Sequence, residues 1–141
     1  MRRMLAILVA SLLAVGGCRG AGATAGALVV RDAAGNVVAT GTLRLPDPLP
    51  PVGERFEGAW SLTSSSDPFP AGAARSGQYA GNVHEGGVTC DLSPGMADNN
   101  VLLTGTVRGG QFAGTWSHAT FAGPRELGTF AVTLPTRGAR R

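Results

Sequence analysis

The chain has 141 residues, including 22 Gly and 9 Pro, and only 15% of them are charged. This length admits one ordinary domain and is too short for a Rossmann or TIM-type enzyme. The charged fraction lies well below the roughly 25% of average soluble domains, and the Gly share is about twice the average, which argues against a charged helical bundle and favours a turn-rich β fold.

The first eighteen residues predict an export signal. Arg2 and Arg3 precede an apolar run over residues 5–15, and two glycines follow it. A positive segment, an apolar stretch of about a dozen residues and small residues after it form a secretory signal that is too short to span a membrane. Nothing else in the sequence is a candidate membrane span.

The end of this signal, Val15-Gly16-Gly17-Cys18, resembles the bacterial lipobox. The resemblance implies that residues 1–17 are removed and that Cys18 is lipidated and becomes the mature N-terminus. The acyl chains, palmitate among them, would anchor the protein to a lipid bilayer in the cell envelope. Arg19 is not the aspartate that usually retains lipoproteins in an inner membrane, so in a Gram-negative cell the expected place is the outer membrane, facing the periplasm. The alternative is an ordinary cleaved signal in which Cys18 is incidental.

Removal of the signal would lower the formal net charge from +3 to +1, with ten Arg against nine acidic residues. The remaining Arg residues are scattered and are not interleaved with aromatics, so no nucleic-acid partner is expected. Lipidation of Cys18 would leave Cys90 as the only other cysteine, without an intramolecular disulfide.

The mature chain is interpreted as a flexible tether over residues 18–26, a domain over residues 27–135 and a basic tail over residues 136–141. A hairpin is expected over residues 27–31 and 37–44, followed by an irregular, proline-rich connector over residues 45–53. Six later segments then alternate apolar with polar residues, which predicts antiparallel strands with one buried face. These segments are residues 55–62, 79–83, 88–92, 101–107, 112–116 and 128–134.

Four of the segments place Gly between two apolar residues on the buried face, which indicates strongly coiled strands with room for a neighbouring ring. The prediction is an all-β fold, a small antiparallel up-and-down β-barrel of about eight strands; a β-sandwich is the alternative. The Phe56-x-Gly58-x-Trp60 motif resembles the first strand of calycin-type barrels, the group of lipocalins and avidins. The expected interior residues are Phe56, Trp60, Tyr79, Phe112 and Trp116.

Connection lengths predict that the two ends of the barrel differ. Tight turns are expected at residues 84–87 and 108–110, and long loops at residues 63–76, 93–100 and 118–126. In an up-and-down meander, the three long loops share one end. The candidate contact surface is therefore a rim that carries Phe69, Met96, Phe121, His118 and Arg125. The alternative is that Phe69, Met96 and Phe121 fold inward and cork the barrel.

The sequence contains no short-spaced His/Cys/Asp cluster, nucleophile elbow or P-loop, so we expect no metal, no cofactor and no catalytic residues. The predicted function is a membrane-anchored, non-enzymatic binding module with a small apolar ligand or an envelope protein as its partner. One alternative is an inhibitor of a foreign hydrolase that inserts the loop Asp67-Pro68-Phe69-Pro70. Another is a purely structural envelope protein.

The lipid anchor is tested by metabolic labelling with palmitate. The wild-type protein should incorporate the label and the Cys18→Ala variant should not, because the acceptor thiol is gone. Label retained by the variant would exclude Cys18 as the acylated residue.

Overall fold

The computed structural model describes residues 22–70, 74–96 and 98–136, which form eight β-strands in one closed antiparallel barrel. Each strand pairs with its sequence neighbours, and the last strand pairs with the first. The strands are β1 (Gly22–Asp32), β2 (Val37–Asp47), β3 (Arg55–Ser65), β4 (Ser76–His84), β5 (Gly87–Asp91), β6 (Asn100–Arg108), β7 (Gln111–Thr120) and β8 (Gly123–Thr133).

The predicted all-β, up-and-down barrel is confirmed, and closure decides against the sandwich. β1 and β8 pair from Ala27 opposite Thr133 to Asp32 opposite Gly128. No helix in the described part of the chain is long and apolar enough to cross a membrane. The signal, residues 18–21 of the tether and residues 137–141 of the tail lie outside the described residues.

The first strand begins earlier than expected. The sequence analysis assigned residues 18–26 to a flexible tether, but Gly22 pairs with Asp47 and Gly26 pairs with Leu43, so residues 22–26 belong to β1. Small residues resemble a linker in sequence, yet packing requires one of them here. A Cβ atom on Gly26 would meet the side chain of Val132.

Two prolines lie inside strands, although the sequence analysis placed both in loops. Pro46 belongs to β2, past the last β3 pairing at Leu43, and Pro124 belongs to β8, before its β1 pairing begins at Gly128. Proline lacks a backbone N–H and is tolerated where one side of a strand is unpaired. The predicted connector therefore shrinks to residues 48–54, and the predicted loop over residues 118–126 is a hairpin with a two-residue turn.

Apolar side chains fill the barrel, as the alternation indicates. Trp116, Tyr79 and Phe112 are the largest fully buried residues, and Phe56 is half-buried against them. The free thiol of Cys90 is also buried. The remaining buried apolar residues of the barrel include Leu28, Val30, Val38, Ala39, Leu43, Leu45, Trp60, Leu62, Val83, Val88, Leu92, Val101, Leu103, Phe130 and Val132.

Aromatic rings lie across glycines on the neighbouring strand. Tyr79 is paired with Gly58, and a Cβ atom at Gly58 would clash with the Tyr79 ring. The ring thereby crosses β3, and its hydroxyl donates a hydrogen bond of 2.5 Å to the carbonyl of Arg44 on β2. Phe56 lies over Gly81 in the same way.

Both tryptophans follow this arrangement. Trp116 is paired with Gly128 on β8, and its indole N–H donates to the carbonyl of Arg31 on β1 at 2.8 Å. Trp60 lies over Gly77, and its indole N–H donates to the carbonyl of Leu92 at 2.9 Å. Trp116 thus links β7 to β1, and Trp60 links β3 to the residue that follows β5.

Gly105 and Gly114 have a different role from the one expected. They are paired with each other, and a Cβ atom on either would clash with the backbone of the opposite strand. These glycines permit close approach of β6 and β7, because no side chain stands between the two backbones.

The barrel has two distinct ends. We call the rim end the one with the connections β1–β2, β3–β4, β5–β6 and β7–β8, and the base end the one with Gly22, the other three connections and the end of β8. The two predicted tight turns are confirmed at the base end; Gly109 and Gly110 both have positive φ, as a two-residue hairpin requires. The base end is less plain than expected, since it also carries the long β2–β3 connection.

Replacement of Gly58 by Val should destabilise the barrel by roughly 1–3 kcal/mol, because the new side chain overlaps the Tyr79 ring. The matched change Ala59→Val, on the opposite face of the same strand, should alter the free energy of unfolding by about 0.5 kcal/mol or less. Urea denaturation measures both. Equal losses would contradict the inward assignment of Gly58.

Burial raises the pKa of the Cys90 thiol from 9.0 to about 12, and burial also raises the pKa of Tyr79. Well below pH 9 the thiol is protonated in both the folded and the unfolded chain, so its titration does not lower the free energy of unfolding there. Above pH 9 the unfolded chain releases the proton first, so the free energy of unfolding should fall towards pH 12. Urea denaturation from pH 8 to pH 10 should show a shallower fall for Cys90→Ala, and identical slopes would refute this assignment.

Candidate functional site

The rim end is closed by Phe69. Its side chain is 4% exposed, and its ring centroid lies 5.3 Å from that of Trp116. The loop is held by Phe69 N–H donating to the Ser66 carbonyl at 3.0 Å and Ser66 N–H donating to the Val38 carbonyl at 2.8 Å. Phe69 was a candidate contact residue. It instead folds inward and packs on the core, which is the alternative that the sequence analysis left open.

Phe121 does the opposite. It lies in the two-residue turn between β7 and β8, and its side chain is 80% exposed. The turn is fixed from two sides, because Phe121 N–H donates to Asp98 Oδ1 at 3.3 Å and Ala122 N–H donates to Thr120 Oγ1 at 3.2 Å. The β7–β8 hairpin thus presents an aromatic ring to solvent on an ordered backbone.

Met96 is the second exposed apolar side chain of the rim end, at 54%. Asp91 organises its loop, with Oδ1 accepting from Ser93 N–H at 2.9 Å and Oδ2 accepting from Asn100 Nδ2 at 3.2 Å. Met96 N–H in turn donates to the Ser93 carbonyl at 3.2 Å. Corking therefore applies to Phe69 and not to Met96 or Phe121.

His118 and Arg125 are brought together, since they are paired residues on β7 and β8. Arg125 is exposed, while His118 is half-buried with its Nε2 atom 2.7 Å from Asn99 Oδ1. Together with Pro68 and Thr120 they line a groove of about 570 Å³. The groove joins the β3–β4 loop to the β7–β8 hairpin, and Arg125 is the charged residue of its lining.

The polar groups beside this groove form hydrogen bonds that connect the β5–β6 loop to the β7–β8 hairpin. His118 contacts an amide, and Asp98 accepts backbone N–H groups from Asn99 and Phe121. No group of three or more His, Cys, Asp or Glu residues within the described ranges is placed to hold a metal ion.

The predicted interior residues lie inside the barrel and belong to its wall packing. Trp60 and Trp116 are buried, and their indole N–H groups are engaged with backbone carbonyls. Phe112 packs edge-on against Phe130 at 4.8 Å, and Phe56 packs against Tyr79 at 5.9 Å between ring centroids. These rings and both tryptophans belong to one hydrophobic core inside the barrel.

Sequence reasoning missed a cavity at the base end. It has a volume of about 470 Å³, and its lining is mostly apolar. The β2–β3 connection continues past it and leaves Val52 61% exposed. The proline cluster of this connection was the available signal, but it was interpreted only as a chain break. The cavity is lined by Thr24, Leu45, Pro46, Asp47, Pro48, Leu49, Val107, Gly110, Leu134, Pro135 and Thr136.

Comparison of the chain with protein-family models, with curated proteins and with solved structures found no match. The exposed hairpin at the rim end and the apolar cavity at the base end are therefore the features from which a function can be inferred.

Proposed function

We propose that the protein is a lipid-anchored component of the cell envelope that acts as a non-enzymatic binding module, and that its rim end contacts an envelope protein. The anchor is proposed from the lipobox-like motif that ends at Cys18. The contact surface is proposed from Phe121 and Met96, the two most exposed of the large apolar side chains at the rim end; Val37, at the start of β2, is the third.

The position of the chain start supports this orientation. Cys18 precedes Gly22, the first residue of β1 at the base end, by four residues. Four extended residues span at most about 14 Å. An acylated Cys18 would hold the base end near the bilayer, and the rim end would point away from it, towards soluble or membrane-bound partners.

The single observation that carries the proposal is Phe121. Phe121 is 80% exposed, and burial of its ring against a partner would contribute about 1.5–3 kcal/mol through removal of apolar surface from water. Its turn is already ordered by Asp98, so little conformational freedom is lost on binding. Rigid exposed aromatics of this kind are typical anchors of protein interfaces.

The alternatives fit the geometry less well. An inhibitor that inserts Asp67-Pro68-Phe69-Pro70 would need Phe69 outside, whereas Phe69 packs on Trp116. A purely structural protein predicts flat loops, whereas the β7–β8 hairpin exposes Phe121. A small ligand between Trp60 and Trp116 would compete with side chains that already fill the barrel.

The rim contact is tested by capture of envelope proteins on the immobilised mature chain, followed by affinity measurement with the captured partner. Phe121→Ala should weaken binding about tenfold or more, which corresponds to a loss of about 1.4 kcal/mol. The Phe121 side chain is 80% exposed, so the free energy of unfolding should change by about 0.5 kcal/mol or less.

Val52→Ala is the matched control, because Val52 is an exposed apolar residue at the opposite end. It should leave the affinity unchanged. A partner that binds both variants as tightly as wild type would place the contact elsewhere, and a loss confined to Val52→Ala would assign it to the base end.

A further inference from the structure

The cavity at the base end is largely apolar. Leu45 is buried beside it, and Leu49, Val107 and Leu134 are half-buried around it. The volume of about 470 Å³ falls within the roughly 300–1,000 Å³ of small-molecule sites. Aliphatic side chains and prolines form most of the lining, so the chemistry that fits this base cavity is a hydrocarbon chain.

The beginning of β1 lies at the edge of the base cavity. Gly22 is paired with Asp47, which belongs to the lining, and Thr24 is itself a lining residue. Residues 19–21 alone separate Cys18 from Gly22. The Cα atom of Cys18 therefore lies within about 14 Å of that of Gly22, whatever path these residues take. Long acyl chains attached to Cys18 are thus held within reach of the base cavity.

Charge at the base end favours an uncharged occupant. The described residues there include four acidic side chains against three arginines, and one of the acids, Asp47, belongs to the lining. A carboxylate or phosphate headgroup would bring a like charge to this lining, which is unfavourable. The ester-linked acyl chains of a lipidated cysteine carry no charge and avoid this repulsion. The base-end charges are Asp47, Glu54, Glu57 and Glu85 against Arg44, Arg55 and Arg108.

We propose that the base cavity holds one acyl chain of the protein's own lipid anchor on Cys18, while the other acyl chains insert into the bilayer. The inference rests on the acylation of Cys18 in the proposed function and adds where one of its chains lies. An acyl chain in the cavity would join the barrel to Cys18 by a second connection besides residues 19–21. The base end would then be held against the membrane more closely than by the peptide alone.

The experiment uses the full chain, expressed with its signal in bacteria that are fed a palmitate analogue with a diazirine near the end of its hydrocarbon chain. The protein is irradiated in isolated membranes, purified and digested with trypsin, and mass spectrometry identifies the cross-linked peptides. We expect the peptide with the acylated Cys18 to be cross-linked to peptides that contain Leu49, Val107 or Leu134. Arginines place these three residues in different tryptic peptides.

Leu134→Asp should reduce the fraction of acylated chains with this cross-link about tenfold, because a carboxylate in the apolar lining excludes the hydrocarbon. Leu49→Asp, in a different segment, should have the same effect and guards against a folding defect in either variant. Phe121→Asp, at the rim end, is the matched control and should leave the cross-link unchanged. Circular dichroism and thermal unfolding establish that each variant retains the barrel.

An acylated chain without a cross-link to the base-end peptides would overturn the proposal, and so would equal losses in all three variants. A phospholipid adduct on these peptides, in place of the Cys18 peptide, would assign the cavity to a bilayer lipid instead. Cross-links between isotope-labelled and unlabelled chains would assign the acyl chain to a second copy.

Acylation is measured separately, from the mass of the peptide that contains Cys18. If Cys18 carries no acyl group, the anchor in the proposed function fails together with this inference. If Cys18 is acylated and the internal cross-link is absent, the anchor stands and only the placement of its chain in the base cavity is refuted.

Discussion

The barrel depends on one repeated contact, an aromatic ring laid across a glycine of the adjacent strand. The β2–β3 ladder ends at Leu43 opposite Trp60, so the Arg44 carbonyl lies beyond it. A buried or half-buried carbonyl without a donor is costly, and Tyr79 supplies that donor by passing over Gly58. A side chain thus continues the wall where backbone pairing stops.

The same contact joins the last strand to the first. Trp116 passes over Gly128 and reaches the Arg31 carbonyl, next to the end of the β1–β8 ladder. Phe69 then rests on the Trp116 ring and closes the rim end. Trp116 therefore contributes both to the closure of the barrel between β7 and β1 and to the packing of Phe69 at the rim end. The cavity lies at the opposite, base end. The exposed β7–β8 hairpin and the apolar cavity therefore lie at opposite ends of the barrel.

The period-two alternation of apolar and polar residues predicted the all-β class and which side chains face the interior. It placed Trp60 and Trp116 inside, and the segment spacing predicted the tight turns β4–β5 and β6–β7 and the longer connections β3–β4 and β5–β6, but not the two-residue β7–β8 turn. Strand ends were harder, because Pro46 and Pro124 are strand residues only where one strand edge is unpaired, and that pairing is a tertiary property. Alternation also does not reveal where the pairing of two strands ends, so the end of the β2–β3 pairing before Arg44 was not predictable.

The candidate site was predicted less completely than the fold. Phe69 and Phe121 both sit beside proline or glycine in chain-reversing segments, and only their surroundings separate a cork from an exposed ring. The base cavity draws on β1, β2, β6 and the residues after β8, which are far apart in sequence. No local sequence pattern shows that these distant residues lie together in the fold.

The pairing of β1 with both β2 and β8 has a mechanical consequence. A pull on the chain ahead of Gly22 would act along the axis of β1, which pairs with β2 from Gly22 onward and with β8 from Ala27 onward. Such a load shears both ladders at once, and many bonds share the force, whereas a pull across the sheet would break them one after another. If Cys18 is acylated as proposed, tension on the anchor would therefore load β1 in shear.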